Sequence, residues 1–261
     1  GGQIDYLTYA GIYREVSLDI YQPTHISNAH IRTLDTLSTK KGLEVDVFMD
    51  NHTLTTDFTL TCALTDKDCQ CVASHSLPVT LHPEQLDQKT TFTVSGIEGL
   101  SLWTLDTPTL YTCTLELAPL APSVEAKQEV SFSDVDVFTS RIGFRTAVFK
   151  ADGFYLNNEK IQIRGLNRHQ AYPYVGYAMP KRPQMKDADI LKDDLHLNLV
   201  RTSHYPQSIH FLNRCDEIGL LVFEEIPGWQ HIGDEAWKQV AINNVGEMIQ
   251  RDWNHPSIIL W

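Results

Sequence analysis

The chain has 261 residues, enough for one or two domains, and 42% of them are apolar against 21% charged, so it can bury a core and is not a disordered protein. Asp and Glu (33) outnumber Lys and Arg (21), and the net charge of −12 argues against binding nucleic acid through a broad basic face. The apolar runs are only a few residues long, far short of the about 20 that a membrane span needs, so we expect no membrane partner.

The five cysteines are an odd number in a long chain, which predicts no disulfide framework. One residue separates Cys69 from Cys71, the wrong spacing for a zinc-binding pair, and no second pair follows. Cys62 and Cys113 lie in apolar stretches and are expected to be small buried side chains. The first residues, Gly-Gly-Gln-Ile-Asp, have no initiator Met or signal core and read as a cut end, so the compartment stays open.

Up to about residue 145 the hydrophobic pattern has the two-residue period of β-strands. Its first stretch, residues 12–20, ends before Gln22-Pro23, and we predict that residues 1–22 are the terminal strand of an upstream domain. Further alternating stretches, each followed by Asp, Asn, Gly, Pro or Ser, lie at 43–49, 58–64, 91–97, 111–117 and 130–138. Short alternating strands at this spacing predict an immunoglobulin-like β-sandwich over residues 23–145.

After Arg145 predicted strands alternate with predicted helices. The strands are expected at 160–166, 197–201, 220–223 and 257–261, and the helices at 184–196, 208–218 and 234–252. Ser208 has the side chain of an N-cap, and Gly219 suits the residue after a helix end. This repeat predicts a parallel sheet or barrel. Because a complete TIM barrel takes about 250 residues, residues 146–261 correspond to its first half.

Polar residues follow each of the first three predicted barrel strands, at the end where such folds place functional groups. They are Asn167, Arg168 and His169 after the first strand, Arg201 and His204 after the second, and Glu224, Glu225 and Trp229 after the third. Amide, imidazole and guanidinium groups donate to hydroxyls and an aromatic ring covers a sugar face, so the set suits a neutral polyol. The alternative is structural: Arg201 pairs with Glu224 or Glu225, and the histidines are core residues.

Other kinds of site find less support in the sequence. Gly-x-Gly-x-x-Gly, Gly-x-Ser-x-Gly and His-Glu-x-x-His are all absent. Ser203 and His204 are neighbours, so on a strand their side chains point apart, which argues against a nucleophile–base pair. A cation site formed by His231 with Glu224 or Glu225 is the less favoured alternative.

Several motifs resemble glycoside hydrolase family 2. In the predicted barrel they are residues 201–206 (Arg-Thr-Ser-His-Tyr-Pro), 216–225, 154–158 and 163–169, and residues 143–145 lead into them. Residues 11–16 resemble the closing strand of the family's jelly-roll sugar-binding domain, and Trp103 with residues 108–111 resembles its immunoglobulin-like domain. The resemblance implies a retaining exo-β-glycosidase, in which two carboxyl groups lie about 5 Å apart.

The resemblance also implies roles for individual residues. In the family the acid/base belongs to an Asn-Glu pair after the fourth strand and the nucleophile follows a later strand. Residues 252–261 resemble the run that leads into this Asn-Glu pair, which implies that neither catalytic glutamate is in this chain and that the fragment alone is inactive. By position, the resemblance implies that His204 and His169 contact the sugar and that Arg201 hydrogen-bonds the nucleophile. It also implies that Asn167 and Arg168 form the floor of the sugar pocket and that Glu225 supports the site.

The residues at 167–169 resemble those of β-galactosidases more than the Lys-His-Glu-Asp of β-glucuronidases. β-Glucuronidase, β-mannosidase and a non-catalytic carbohydrate-binding or scaffold module remain alternatives.

Well-known galactosidases bind magnesium through Glu-x-His after the third strand, where residues 226–231 read Ile-Pro-Gly-Trp-Gln-His. We therefore expect no metal in this chain and leave magnesium or sodium open for a longer protein. The implied partners are a β-galactoside or related oligosaccharide and further copies of the protein.

Overall fold

The computed structural model describes residues 9–54, 56–120 and 135–261. They form two compact units. One comprises Leu18–Ser101 with Leu110–Phe144, and the other comprises the residues up to Ser17, Leu102–Thr109 and Arg145–Trp261. The glycine-rich start of the chain and positions 130–134 of the predicted strand 130–138 lie outside the described residues.

The first unit is an antiparallel β-sandwich, as the alternating pattern predicts. Its two sheets have the strand orders β1-β2-β5 and β4-β3-β6-β7. The strands are β1 (Thr24–Leu34), β2 (Lys41–Asn51), β3 (Asp57–Thr65), β4 (Cys71–Thr80), β5 (Gln85–Ile97), β6 (Tyr111–Pro119) and β7 (Asp136–Ile142). Strands β1 and β4 were not predicted. β4 lies at a sheet edge, carries polar residues and contains Pro78, all of which weaken the alternating signal.

The inward-facing side chains of β3 and β6 form the centre of the sandwich. Leu60, Leu64 and Leu115 are fully or almost fully buried. Cys62 and Cys113 are buried beside them as free thiols, with their Sγ atoms 3.6 Å apart. The prediction that these two cysteines serve as small core side chains is confirmed.

Residues 12–20 do not form the strand that their alternation predicts. The structure gives them no strand, and Ile12, Val16, Leu18 and Ile20 are all largely exposed. A strand needs a neighbour to complete its backbone hydrogen bonds, and none of the strands in the described part of the chain pairs with this segment. Its assignment to an upstream domain stays a prediction.

The second unit contains a parallel four-stranded sheet in the order β11-β12-β13-β14, and a small antiparallel sheet in the order β10-β9-β8. Its strands are β8 (Ala147–Lys150), β9 (Gly153–Leu156), β10 (Glu159–Ile161), β11 (Gly165–Asn167), β12 (Leu199–Arg201), β13 (Leu221–Phe223) and β14 (Ile258–Leu260). The helices are α1 (Lys181–Asp189), continued by a π-helical segment (Ile190–Asp194), α2 (Ile209–Ile218) and α3 (Glu235–Asp252). The predicted alternation of strands and helices is confirmed. Among the described residues, no helix is long and apolar enough to cross a membrane.

The single strand predicted at 160–166 is wrong, because the chain changes sheets within it. β10 pairs antiparallel with β9, whereas Gly165 begins a strand that pairs parallel with β12. The side chain of Asn198 satisfies the backbone at this break: its Oδ1 accepts from Arg164 N at 2.7 Å and its Nδ2 donates to Gln162 O at 2.8 Å. A pattern of apolar residues does not reveal such a change of partner.

Helix α2 anchors the core of the parallel sheet. Phe211, Leu212 and Cys215 are fully buried against strand residues such as Val200 and Val222. Both predicted caps are confirmed: Ser208 Oγ accepts from His210 N, and Gly219 ends the helix in the left-handed region with φ 71°. A Cβ atom on Gly219 would lie 2.4 Å from Leu105 O, so the chain needs glycine here for close approach as well as for conformation.

A buried polar network connects α2 to the start of β14. Asp216 Oδ1 accepts from Ser257 Oγ at 2.6 Å and from Ser257 N at 3.1 Å, and its Oδ2 is 2.5 Å from His255 Nδ1. The backbone oxygen of Asp216 accepts from Trp103 Nε1 at 2.8 Å. Trp103, which the resemblance linked to the sandwich, is fully buried in the second unit.

Glu224 is a fully buried carboxyl group next to this network. Its Oε1 accepts from Arg251 Nη2 at 3.3 Å, and its Oε2 has no hydrogen-bond partner. Burial, followed by the nearby charge of Asp252, raises the pKa of Glu224 to about 8, while Arg251 and His255 act to lower it. Because the folded pKa exceeds the unfolded one, Glu224 contributes stability that is complete below about pH 4.5 and is lost as pH rises through about 8.

We expect E224Q to unfold at a higher temperature than the unchanged protein at pH 8.5, by about 3 °C or more, and at a similar temperature at pH 5. Glutamine resembles the protonated acid, so only the cost of ionising Glu224 is removed. Thermal unfolding followed by circular dichroism at both pH values measures the difference. His255 titrates in both proteins: burial acts to lower its pKa, whereas Asp216, Asp252 and Glu224 raise it, so the comparison measures Glu224 together with its effect on His255.

The matched control is E247Q, at an exposed glutamate of the same helix as Arg251. It should shift the unfolding temperature equally at the two pH values. A pH-independent effect of E224Q would show that this carboxyl group is not held in its neutral form.

Candidate functional site

The register of the parallel strands aligns the candidate residues at one edge of the sheet. Asn167 pairs with Arg201, and Arg201 pairs with Phe223. The backbone ladder continues beyond the strands, because Arg168 N donates to Arg201 O at 2.9 Å and Thr202 N donates to Phe223 O at 2.9 Å. The residues that follow β11, β12 and β13 therefore meet at the carboxyl ends of the strands.

Glu225 is shared between Arg201 and His204. Its Oε2 accepts from Arg201 Nη2 at 2.7 Å and from Arg201 Nε at 3.2 Å, while its Oε1 lies 2.7 Å from His204 Nδ1. The backbone N of Glu225 donates to Thr202 Oγ1 at 3.3 Å. The sequence left open which glutamate pairs with Arg201, and the structure assigns Glu225.

This arrangement fixes a guanidinium, which is a hydrogen-bond donor, and an imidazole ring at the strand ends. The side chains of His204 and Glu225 are 5% and 18% exposed, whereas that of Arg201 is 30% exposed. A guanidinium held by a carboxylate keeps its direction, and its remaining N–H groups suit a negatively charged or hydroxyl-bearing ligand. The structural pairing considered from the sequence is real, and it orients the groups that a ligand would meet.

Aromatic rings line the site beside this cluster. Trp229 stacks on His204 with ring centroids 4.4 Å apart and planes inclined by 6°. His169 packs edge-on against His204 at 5.4 Å and lies 6.2 Å from Tyr205. Sequence reasoning named Trp229 as the rim aromatic but gave it no contact. The ring holds the imidazole plane of His204 from one side.

Asn167 and Arg168, the two residues predicted for the pocket floor, differ in their surroundings. Asn167 is exposed at the sheet edge. Arg168 is buried, and its guanidinium donates to Asp187 Oδ2 at 2.7 and 3.0 Å, to Gln184 Oε1 at 2.8 Å, and to Gln207 Oε1. Its contacts therefore join α1 to the residues before α2, and its role in the pocket floor stays a prediction.

Sequence reasoning missed the partners of Arg168. Asp187 and Gln184 belong to α1, and Gln207 precedes α2 by two positions. No motif marks them, since a buried arginine finds its acceptors through helix packing rather than through spacing along the chain. The only sequence signal is the charge itself, because a buried guanidinium requires acceptors nearby.

The residues after β13 do not form a ligand set for magnesium. Both oxygens of Glu225 are held by Arg201 and His204, and the ring of His231 packs edge-on against Trp237 at 5.7 Å. Throughout residues 9–54, 56–120 and 135–261, no group of three or more His, Cys, Asp or Glu side chains is placed to hold a metal ion.

Two family models match the chain almost from end to end. The model described as glycosyl hydrolases family 2 matches residues 24–145, and the model described as glycosyl hydrolases family 2, TIM barrel domain, matches residues 147–261. The fold is thus an immunoglobulin-like sandwich followed by part of a TIM barrel, as the sequence predicts.

Curated relatives are similar over the whole chain. A β-galactosidase of Thermoanaerobacterium thermosulfurigenes is 50% identical over 100% of this chain and 35% of its own length. A β-galactosidase of Thermoanaerobacter pseudethanolicus is 44% identical over 100% of this chain and 33% of its own length. The chain thus spans about a third of the length of these curated relatives.

Solved structures support the same grouping. A β-glucuronidase of Parabacteroides merdae has a TM-score of 0.75 and 29% identity, covering 92% of this chain and 28% of that chain. A glycosyl hydrolase family 2 member from Bacteroides cellulosilyticus has a TM-score of 0.78 and 26% identity, covering 92% of this chain and 31% of that chain. On the two family-model matches, this chain belongs to glycosyl hydrolases family 2.

Proposed function

We propose that this chain is part of a retaining exo-β-glycosidase that hydrolyses terminal, non-reducing β-galactosides, and that it supplies one wall of the sugar site. The observation that carries the proposal is the Glu225 carboxylate, which orients Arg201 and His204 together at the strand ends. An oriented guanidinium is useful where negative charge must be held during the reaction. We also propose that the whole protein is a homo-oligomer, as the resemblance implies.

Arg201 and His204 bind and orient rather than carry out bond cleavage. A guanidinium beside a carboxylate nucleophile keeps that nucleophile ionised, and an imidazole at the same edge hydrogen-bonds a sugar hydroxyl. Glu225 has both oxygens engaged, and Glu224 is fully buried. Neither glutamate is placed to attack an anomeric carbon, so the two catalytic carboxyl groups are assigned to other residues of the whole protein.

A neutral sugar suits this edge better than a uronic acid. A glucuronide carries a carboxylate that needs a cation of its own, whereas Arg201, paired with Glu225 at 2.7 Å, is assigned to the carboxylate nucleophile. The relatives that are 50% and 44% identical are β-galactosidases, and a β-glucuronidase is among the similar solved structures. β-Galactosidase is the proposed activity, with β-glucuronidase or β-mannosidase of the same family, or a non-catalytic carbohydrate-binding module, as the alternatives.

In the whole protein that carries this chain, we expect R201A and H204A each to lower kcat by about 100-fold or more, with a smaller rise in KM, because preorganised donors act most strongly on the transition state. Steady-state hydrolysis of nitrophenyl β-galactoside measures both constants. The same assay with nitrophenyl β-glucuronide and β-mannoside separates the alternatives.

The matched control is R214A. Arg214 is 29% exposed and paired with Asp189 and Glu217, so it resembles Arg201 in exposure and charge but lies on α2 away from the strand ends. It should leave kcat close to that of the unchanged protein. If R201A and H204A also retain normal kinetics, both side chains are structural.

The 261 residues expressed alone are expected to have no glycosidase activity. Retaining hydrolysis needs two accessible carboxyl groups about 5 Å apart, and the two glutamates at this edge are engaged or buried. Release of nitrophenol from the β-galactoside by the purified chain is the measurement, with the whole protein as positive control. Turnover that survives purification would contradict the assignment of both catalytic carboxyl groups to other residues.

A further inference from the structure

The leading segment, residues 9–15, packs against the loops that follow β11 and β12, although it forms no strand. On the side of the first loop, the ring of Tyr177 lies 4.8 Å from the ring of Tyr9 and 5.7 Å from the ring of Tyr13. The segment and both loops belong to the same compact unit. The leading segment is therefore a neighbour of the loops that carry the candidate site.

Arg14 is the residue of this segment that reaches both loops. Its Nη2 donates to Pro206 O at 2.5 Å and lies 3.5 Å from Gln170 Oε1, and its Nη1 donates to Gln207 O at 3.3 Å. Gln170 belongs to the loop after β11, whereas Pro206 and Gln207 lie between His204 and α2. One planar guanidinium group thus connects the two loops.

The chain just before α2 takes its hydrogen bonds from arginines outside that helix. The helix begins after its N-cap Ser208, so the carbonyl group of Gln207 precedes the hydrogen-bond ladder of α2. Gln207 is fully buried, and its backbone oxygen accepts from Arg251 Nη2 at 3.1 Å as well as from Arg14. A buried carbonyl group that loses its donors is costly, so the position of residues 205–207 depends on these side chains.

The surroundings of Arg14 do not favour a role in stability alone. Its three acceptors are neutral oxygens, and its Nε is buried without a hydrogen-bond partner. Burial, followed by the charge of Arg251, lowers its pKa, against the effect of Tyr13, Asp252 and Glu15. A partly buried cation with neutral acceptors adds little net stability, because its desolvation is poorly compensated.

The loop that Arg14 holds also carries His204. Tyr205 N donates to Thr202 O at 3.2 Å, so the turn around His204 is short, and Pro206 follows it directly. Glu225 sets the direction of the imidazole ring, whereas the backbone of this turn sets how far the ring extends from the strand end. A shift of the backbone at residue 206 therefore moves His204.

We propose that Arg14 is a positioning residue of the glycoside site, which holds the loops after β11 and β12 together and so places His204 against the sugar. The inference rests on the proposed function, because it takes His204 to contact the sugar. Arg14 donates to oxygens of the protein itself and acts through His204.

The kinetic test uses the whole protein and nitrophenyl β-galactoside. We expect R14A to lower kcat by about tenfold or more, with a smaller change in KM, because a displacement of about 1 Å in a group that meets the transition state is costly. R14K keeps the charge but not the planar fork, so it should lower kcat by about threefold. The matched control is R182A, at an exposed arginine of α1, which should leave both constants unchanged.

Normal kcat in R14A would overturn the proposal. If R14A does not fold, R14K carries the test, and a normal kcat in R14K would overturn it equally.

A double-mutant cycle tests whether Arg14 acts through His204. R14A should lower kcat by about tenfold in the unchanged protein but by less than about twofold in H204A, because the group that it positions is then absent. A general loss of stability would lower kcat by the same factor in both backgrounds. Equal factors would therefore contradict the positioning role.

Hydrogen exchange separates failure of this proposal from failure of the proposed function, because it needs no turnover. In R14A we expect the amides of residues 202–207 to exchange faster than in R182A, with exchange in β3 of the sandwich unchanged. Unchanged exchange at 202–207, or equally faster exchange throughout residues 145–261, would overturn the proposal. Faster exchange confined to 202–207 in a protein that hydrolyses no galactoside would overturn the proposed hydrolysis and leave the hold of Arg14 on this loop standing.

Discussion

The hydrogen bonds of the Glu225 carboxylate are the interaction on which the candidate site depends. One oxygen accepts from Arg201 and the other faces His204, so a single residue after β13 sets the direction of the last residue of β12 and of a residue that follows β12. Charge-assisted hydrogen bonds of this kind are short and directional. They convert two long or rotatable side chains into a fixed surface, which is what a ligand with several hydroxyl groups requires.

Neighbouring glutamates have opposite roles because successive side chains of an extended segment point to opposite sides. Glu225 faces the strand ends, whereas Glu224 faces Arg251 and Asp252 in the interior. Burial and the nearby charge of Asp252 favour the neutral form of the Glu224 carboxyl group, which accounts for its raised pKa. The interior cluster of Glu224, Arg251 and Asp252 therefore makes the free energy of unfolding depend on pH.

Buried polar side chains connect the helices and strands around the candidate site. Asp216 binds both His255 and Ser257, which precede β14, and the backbone of Asp216 receives the indole N–H of Trp103. Arg168, which follows β11, joins α1 to Gln207. These buried polar groups find their hydrogen-bond partners in several elements. The arrangement of the helices and strands therefore depends on these hydrogen bonds as well as on apolar packing.

The sequence by itself determined the two-part architecture, both caps of α2 and the set of polar residues at the strand ends, because periodicity, cap chemistry and strand direction are local properties. It did not determine the break between β10 and β11, the lack of a strand at 12–20, or the choice of Glu225 over Glu224 for Arg201. The Arg168 partners Asp187 and Gln207 lie 19 and 39 residues away along the chain. Tertiary packing decided these features, because a hydrogen bond between distant residues depends on which elements become neighbours and leaves no periodic trace in the sequence.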